Sequence, residues 1–218
     1  PNRAIYYGSV SLVDHEVGRV LDTLHELGLD EKTLVVFTSD NGPWYEGTPG
    51  VLRGRKGETW DGGMKVPMIA RFPGSINPDQ VSNAFATNLD FVPTFARLAG
   101  GTVPGKPLDG VDIWPLLTGD KSSIDRDPFL FLDNFDIQAV RSGPWKLHVA
   151  RESTVPWLNI PGAPPRQNLP LFRPELYNLE LDPGESANVA AEHTRVVSDL
   201  QAAIDRLLPT FPQAVQDA

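Results

Sequence analysis

The 218-residue chain predicts an α/β core over residues 1–126, followed over residues 127–218 by a small α+β subdomain with an antiparallel sheet and a closing helix. Three observations carry that expectation. An apolar stripe from Tyr6 to Leu27, at three- and four-residue spacing, gives way to the strand-like run Leu34–Phe37 and, after a loop, to a second run, Met68–Phe72. From about Asp127 the alternation of helix and strand is replaced by short strand-length runs separated by turn residues. A last helical stripe covers Val189 to Leu208.

In the first helix Val10, Val13, Val17, Leu21 and Leu24 form the stripe, widened by Val20 and Leu27, and Gly28 is placed to end it against a sheet face. His15 and His25 stand among Asp14, Glu16 and Glu26, a solvated charged face and not a catalytic one. Leu34–Phe37 has the length and β-branched content of a buried strand, and the sheet it enters is expected to be parallel. After Phe72, Pro73-Gly74 and Asn77-Pro78 mark a loop and Val81–Leu89 reads as extended. Asp90 suits the N-cap of a helix through Phe91, Phe95 and Leu98, with Pro93 in its first turn, and a short helix follows over Ile113–Leu117.

In the second part Phe129–Leu132, Gln138–Arg141 and Trp145–Val149 are strand-like, with Ser142-Gly143-Pro144 as a turn between the last two. Glu175–Leu179 offers a further strand and Asp182-Pro183-Gly184-Glu185 a turn before the closing helix. The stretch Pro156–Pro174 is so dense in proline that it reads as a loop, held by Trp157 and Phe172 and placed to decorate the surface or line a substrate entrance. His148 alternates with Leu147 and Val149, so it faces away from their side, toward solvent or a sheet edge.

Composition narrows the function. With 40% hydrophobic residues, ten Phe and five Trp there is material for a real core. A formal charge of −9 argues against nucleic acid or an anionic membrane surface as partner, since both require a basic footprint. No run approaches the ~18 apolar residues of a membrane span. The absence of cysteine removes disulfides and thiolate metal sites together.

Chemistry collects where the first strand stops. Thr38-Ser39-Asp40-Asn41-Gly42 presents Asp40 and Asn41 as adjacent oxygen donors at the carboxyl end of a strand, a pairing that suits a hard divalent cation such as calcium. Beyond a loop comes Leu52-Arg53-Gly54-Arg55-Lys56-Gly57-Glu58-Thr59-Trp60-Asp61-Gly62-Gly63, cationic and glycine-rich, with Lys56 where backbone can approach a ligand closely. Taken singly, the first cluster is a turn and the second a solvated loop. Their order is more specific: strand, Asp-Asn-Gly, loop, Leu-Arg-Gly-x-Lys-Gly, aromatic-acid-Gly-Gly, basic-Val-Pro, strand.

That order resembles the type I sulfatases of the alkaline phosphatase superfamily, and the likeness runs from about Tyr6 to Leu208. Gly143-Pro144-Trp145-Lys146-Leu147 and Leu176-Tyr177-Asn178-Leu179 with Asp182-Pro183-Gly184-Glu185 resemble the small C-terminal subdomain of that family. Asn88-Leu89-Asp90 with Pro93-Thr94, and Leu108-Asp109-Gly110-Val111, resemble its scaffold. The resemblance implies part of an alkaline-phosphatase-like sheet flanked by helices, and hydrolysis of sulfuric esters with a formylglycine nucleophile. Asp40 and Asn41 would be two ligands of one Ca2+, and Lys56 the lysine that contacts the sulfate. The chain departs from the family in having Asp61 where Glu commonly precedes the paired glycines.

The formylglycine arises in the family from a Cys/Ser-x-Pro-x-Arg motif. Here the nearest match, Ser142-Gly143-Pro144-Trp145-Lys146, ends in Lys, follows Lys56 and reads as a hairpin turn. The nucleophile, the paired aspartates of the calcium shell and an upstream His and Lys are therefore expected in sequence preceding this chain, which by itself should be inactive. The implied partner is a sulfate-ester small molecule or sulfated glycan, the implied location periplasmic or secreted. Apolar surface left open on the N-terminal side should favour self-association. The alternatives are a phosphodiesterase or phosphonate monoester hydrolase of the same superfamily, and a non-enzymatic acidic binding module.

Overall fold

The computed structural model describes residues 2–103, 108–155, 161–162 and 165–217. In chain order its elements are α1 (Asn2–Glu26), β1 (Val35–Thr38), α2 (Asp61–Met64), β2 (Met68–Arg71), α3 (Phe91–Leu98), α4 (Trp114–Leu117), β3 (Phe129–Asp133), β4 (Asp136–Ser142), β5 (Trp145–Glu152), β6 (Asn168–Asn178), α5 (Thr194–Leu207) and α6 (Gln213–Gln216). They fall into two units, one made of residues 1–40 and 67–126, the other of 41–66 and 127–218.

In the first unit, Gly28 at φ 63° turns the chain out of α1 and donates its N–H to the His25 carbonyl. Asp30 then ties the helix end to β2, accepting from Arg71 at 2.6 Å and pairing with His25 at 2.9 Å; hydrogen bonds from Arg71 and then His25 hold its carboxyl below the ordinary range. Strands β1 and β2 pair antiparallel, Val35 opposite Arg71 and Thr38 opposite Met68, and not in the parallel sense expected. A parallel return needs a crossover, usually helical, and the connection here holds only the single turn of α2. The stripe of α1 meets β1 only in part: Leu12, Val13, Val20, Val35 and Phe37 line an open apolar groove of about 410 Å³. His15 is exposed on the outer face of α1.

Asp90 is fully buried, and its carboxylate does not cap α3 as the sequence suggests. It accepts instead from the Thr87 N–H at 2.6 Å, the Val111 N–H at 2.9 Å and the Arg126 guanidinium. The Thr94 hydroxyl donates to the Asp90 carbonyl and accepts from the Ile113 N–H at 2.9 Å. The two scaffold-like motifs thus stitch to one another, and buried backbone N–H groups that would otherwise lack partners are satisfied.

In the second unit the sheet runs β3-β4-β5-β6, all neighbours antiparallel. Leu130, Val140, Leu147 and Leu176 stand in one row across the four strands and pack with Leu200 of α5. Each such buried side chain contributes about 1.5–3 kcal/mol, which is why the stripe of α5 settles on this face. The adjacent rows, Phe129-Arg141-Lys146-Tyr177 and Phe131-Ala139-His148-Glu175, point to the opposite face.

The proline-dense stretch is not all loop: β6 begins at Asn168 and runs through Pro170 and Pro174. Its place at the sheet edge explains the tolerance, because an edge strand can leave the missing N–H groups of proline on its unpaired side. Phe172 is 96% exposed there, its ring beside its neighbour Arg173, so it does not anchor the stretch; Trp157 lies outside the described residues. Where β3, β5 and the approach to β6 meet, the Arg166 guanidinium pairs with both Asp133 and Glu152. Burial, then the hydrogen bond and charge of Asp133, push Glu152 up to about 8.

Candidate functional site

Strand β1 ends at Thr38, and Asp40 follows two residues later, exposed. Asn41 is half-buried at the start of a segment, residues 41–66, that folds back on the paired glycines 62 and 63. The Gly42 N–H donates to the Gly63 carbonyl at 2.8 Å, and a Cβ on Gly42 would stand 2.0 Å from the Gly62 oxygen. Gly62 in turn donates to the Arg53 carbonyl at 2.6 Å, and a Cβ there would stand 2.3 Å from that same oxygen. Backbone contact this close admits only glycine, so Asn41-Gly42 and the Arg53–Glu58 stretch are both seated on one Gly-Gly hub.

Lys56 occupies the tip of a tight turn. Glu58 N–H donates to the Arg55 carbonyl at 3.0 Å, and the Glu58 carboxylate accepts from the Arg55 N–H at 2.8 Å. Gly57 at φ 88° takes the third place of that turn, which requires a positive φ. The Lys56 N–H is bonded to the Pro43 carbonyl at 3.0 Å, fixing the backbone, and the residue is exposed. Its two neighbouring arginines are engaged with the protein. Arg55 donates to the carbonyls of Trp44 and Gly47, and Arg53 donates to the Glu185 carbonyl at 3.0 Å while lying 3.8 Å over the Trp60 ring.

Beneath this loop the sheet face bearing Lys146 and His148 is covered by Thr59, Trp60 and Asp61, not by water. The Lys146 ammonium donates to Asp61 at 2.8 Å and to Glu185 at 3.4 Å; Glu185 also accepts from the Asp61 N–H at 2.7 Å. Arg141 lies 3.9 Å from the other Asp61 oxygen, so two basic side chains face two acidic ones.

His148 is 1% exposed, contrary to the expectation of a solvent or edge position. Its direction, away from Leu147 and Val149, agrees with the alternation; the cover supplied by residues 59–61, from a distant part of the chain, is what periodicity cannot show. Trp60 stacks on its ring at 4.0 Å, and Nε2 donates to Glu185 at 2.7 Å. Burial pushes the imidazole below its ordinary value, against the opposing pull of the Glu185 hydrogen bond. The residues missed by sequence reasoning are thus Asp61, Lys146, His148 and Glu185. The available signal was Lys146 between Trp145 and Leu147, a charge in an interior strand that must find a carboxylate.

Among the described residues no group of three or more His, Cys, Asp or Glu is placed to hold a metal ion, and no helix is long and apolar enough to cross a membrane.

Comparison with known proteins gives a consistent result. Residues 1–101 match the sulfatase family model, and residues 124–217 match the model of the C-terminal region of aryl-sulfatase. The chain is 36% identical to the steryl-sulfatase of Mus musculus over 226 residues, covering 91% of this chain and 36% of that protein. It is 36% identical to arylsulfatase A of Homo sapiens over 199 residues, covering 86% of this chain and 39% of that protein. The PsFucS1 sulfatase from Pseudoalteromonas sp. superimposes with a TM-score of 0.72 at 31% identity, covering 88% of this chain and 41% of that one. Ps i-CgsB in complex with k-i-k-neocarrahexaose gives a TM-score of 0.72 at 27% identity, covering 90% of this chain and 41% of that one. The chain therefore spans 36% and 39% of the two curated relatives named. Matching sulfatases in both halves, in sequence and in fold, the chain belongs to the sulfatase family.

Proposed function

We propose that this chain serves the hydrolysis of sulfuric esters, supplying one cationic contact and two metal-ligating oxygens but not the nucleophile. The observation that carries the reading is the placement of Lys56, exposed at the tip of a turn whose backbone is pinned by the bond from its N–H to the Pro43 carbonyl. An ammonium there can hold a sulfate oxygen and offset negative charge developing on the leaving oxygen.

Asp40 and Asn41 fit calcium in kind, being a carboxylate and an amide oxygen, with the Asn41 backbone fixed through Gly42. In number they are a fraction of the six to eight or so oxygens calcium takes. A bound calcium would act as a Lewis acid toward the sulfate group. No Cys-x-Pro-x-Arg or Ser-x-Pro-x-Arg occurs in the 218 residues, so the covalent step needs a group this chain does not contain.

The substrate is a sulfate-ester small molecule or a sulfated glycan; the neocarrahexaose complex of a structural neighbour supports the glycan class. The open apolar groove along α1 supports self-association of the isolated chain. Nothing in the comparisons favours a phosphodiesterase or a binding module.

The test is direct. Residues 1–218 are purified, calcium is added, and aryl sulfate hydrolysis is followed with and without the N-terminal sulfatase segment supplied in trans. Activity only in the mixture is expected. Turnover by the chain alone would place a nucleophile within it and overturn this division of labour.

A further inference from the structure

Glu185 is fully buried and adopts φ 47°, a left-handed conformation that a side chain bearing a Cβ takes up only when its surroundings impose it. The surroundings here are five hydrogen bonds, one of them local, from its own N–H to the Asp182 carbonyl at 3.1 Å. Its backbone oxygen accepts from Arg53 at 3.0 Å; Oε1 accepts from the Asp61 N–H at 2.7 Å and from Lys146 at 3.4 Å; Oε2 accepts from His148 at 2.7 Å. Arg53 and Asp61 are the two ends of the segment whose tip is Lys56, and the Gly62-to-Arg53 bond closes its base. Both ends are therefore held by a single residue 132 and 124 positions further along the chain.

We propose that Glu185 is a positioning residue for Lys56: by gripping Arg53 and Asp61 together it fixes the loop that presents the lysine to the sulfate ester. This rests on the sulfate-contact reading of Lys56. The grip uses both parts of the residue. The carbonyl takes the Arg53 guanidinium, and the two carboxylate oxygens between them accept from Asp61, Lys146 and His148. Lys146 and His148, on β5, keep that carboxylate in place.

In the sulfatase containing this chain, kcat and KM for an aryl sulfate are measured for the unaltered protein, Lys56→Ala, Glu185→Gln and the double variant. Glu185→Gln is expected to lower kcat about tenfold or more with KM within about twofold, the scale of a misplaced catalytic group. Added to Lys56→Ala it is expected to cost less than about a further twofold, because nothing remains to be positioned. Arg53→Met, which leaves the buried carboxylate intact, is expected to give a smaller kcat loss that likewise vanishes in the Lys56→Ala background, and it carries the test if Glu185→Gln does not fold. Full kcat in Glu185→Gln, or in Arg53→Met where that variant stands alone, overturns the proposal, as does a loss that multiplies undiminished onto that of Lys56→Ala. Full activity in Lys56→Ala itself removes the reading of Lys56, and the proposal with it; a slow Lys56→Ala beside a fully active Glu185→Gln removes the proposal only.

Discussion

Lys146 places its ammonium 2.8 Å from the Asp61 carboxylate across 85 residues of sequence, with the lysine side chain wholly buried. A charge so placed depends on its partners, because desolvation penalises whichever charge is left alone. Lys146→Met removes the cation but leaves Asp61 and Glu185 side by side. It is expected to destabilise the second unit by about 3–5 kcal/mol, read by urea denaturation; a loss under about 1 kcal/mol would show that water reaches the pair.

Glu152 should make stability depend on pH. Its carboxyl is raised to about 8 in the folded chain from an ordinary 4.5, so between those values the native state keeps a proton that the unfolded chain has released. Stability contributed by the protonated form is full below 4.5 and is lost as pH rises through about 8. Glu152→Gln keeps the shape and cannot titrate, so its stability should fall less over this range. Parallel curves for the two proteins would mean that Arg166 holds Glu152 ionised.

Replacing Lys56 by alanine in the complete enzyme should lower turnover by about two or more orders of magnitude, the scale of one preorganised transition-state contact. Arg53 and Arg55, occupied with carbonyls of the protein, should cost much less when replaced singly. Equal losses at all three would reduce the effect to general electrostatics.

Asp40→Ala in the complete enzyme should abolish calcium binding measured by calorimetry, since a carboxylate supplies charge that the amide of Asn41 does not. An unchanged affinity would remove Asp40 from the metal shell.

Much of the fold was legible because periodicity and turn chemistry are local signals. The stripe of α1, the runs at β1 and β2, and the Ser142-Gly143-Pro144 turn between β4 and β5 stand where residue spacing places them, whereas α5 starts at Thr194 and not at Val189 as its pattern suggests. The antiparallel pairing of β1 with β2 was not legible, since a strand pattern carries no direction. Nor was β6, whose prolines argue against a strand until its edge position is known. The tight turn at Lys56 was legible through the glycines that flank it. His148 and Glu185 were not, because what makes them a buried pair is the arrival of Trp60 and Asp61 from a distant part of the chain.

That distance also fixes an order of events during synthesis. Asp61 leaves the ribosome 124 residues before the carboxylate that will hold it, an interval of roughly 6–25 s at about 5–20 residues per second. Throughout it the Lys56 turn has its local bonds but neither of its anchors, and Lys146 arrives before Glu185 can share its charge. A nascent chain stalled short of Glu185 therefore carries every residue of that loop without the residue that anchors both its ends.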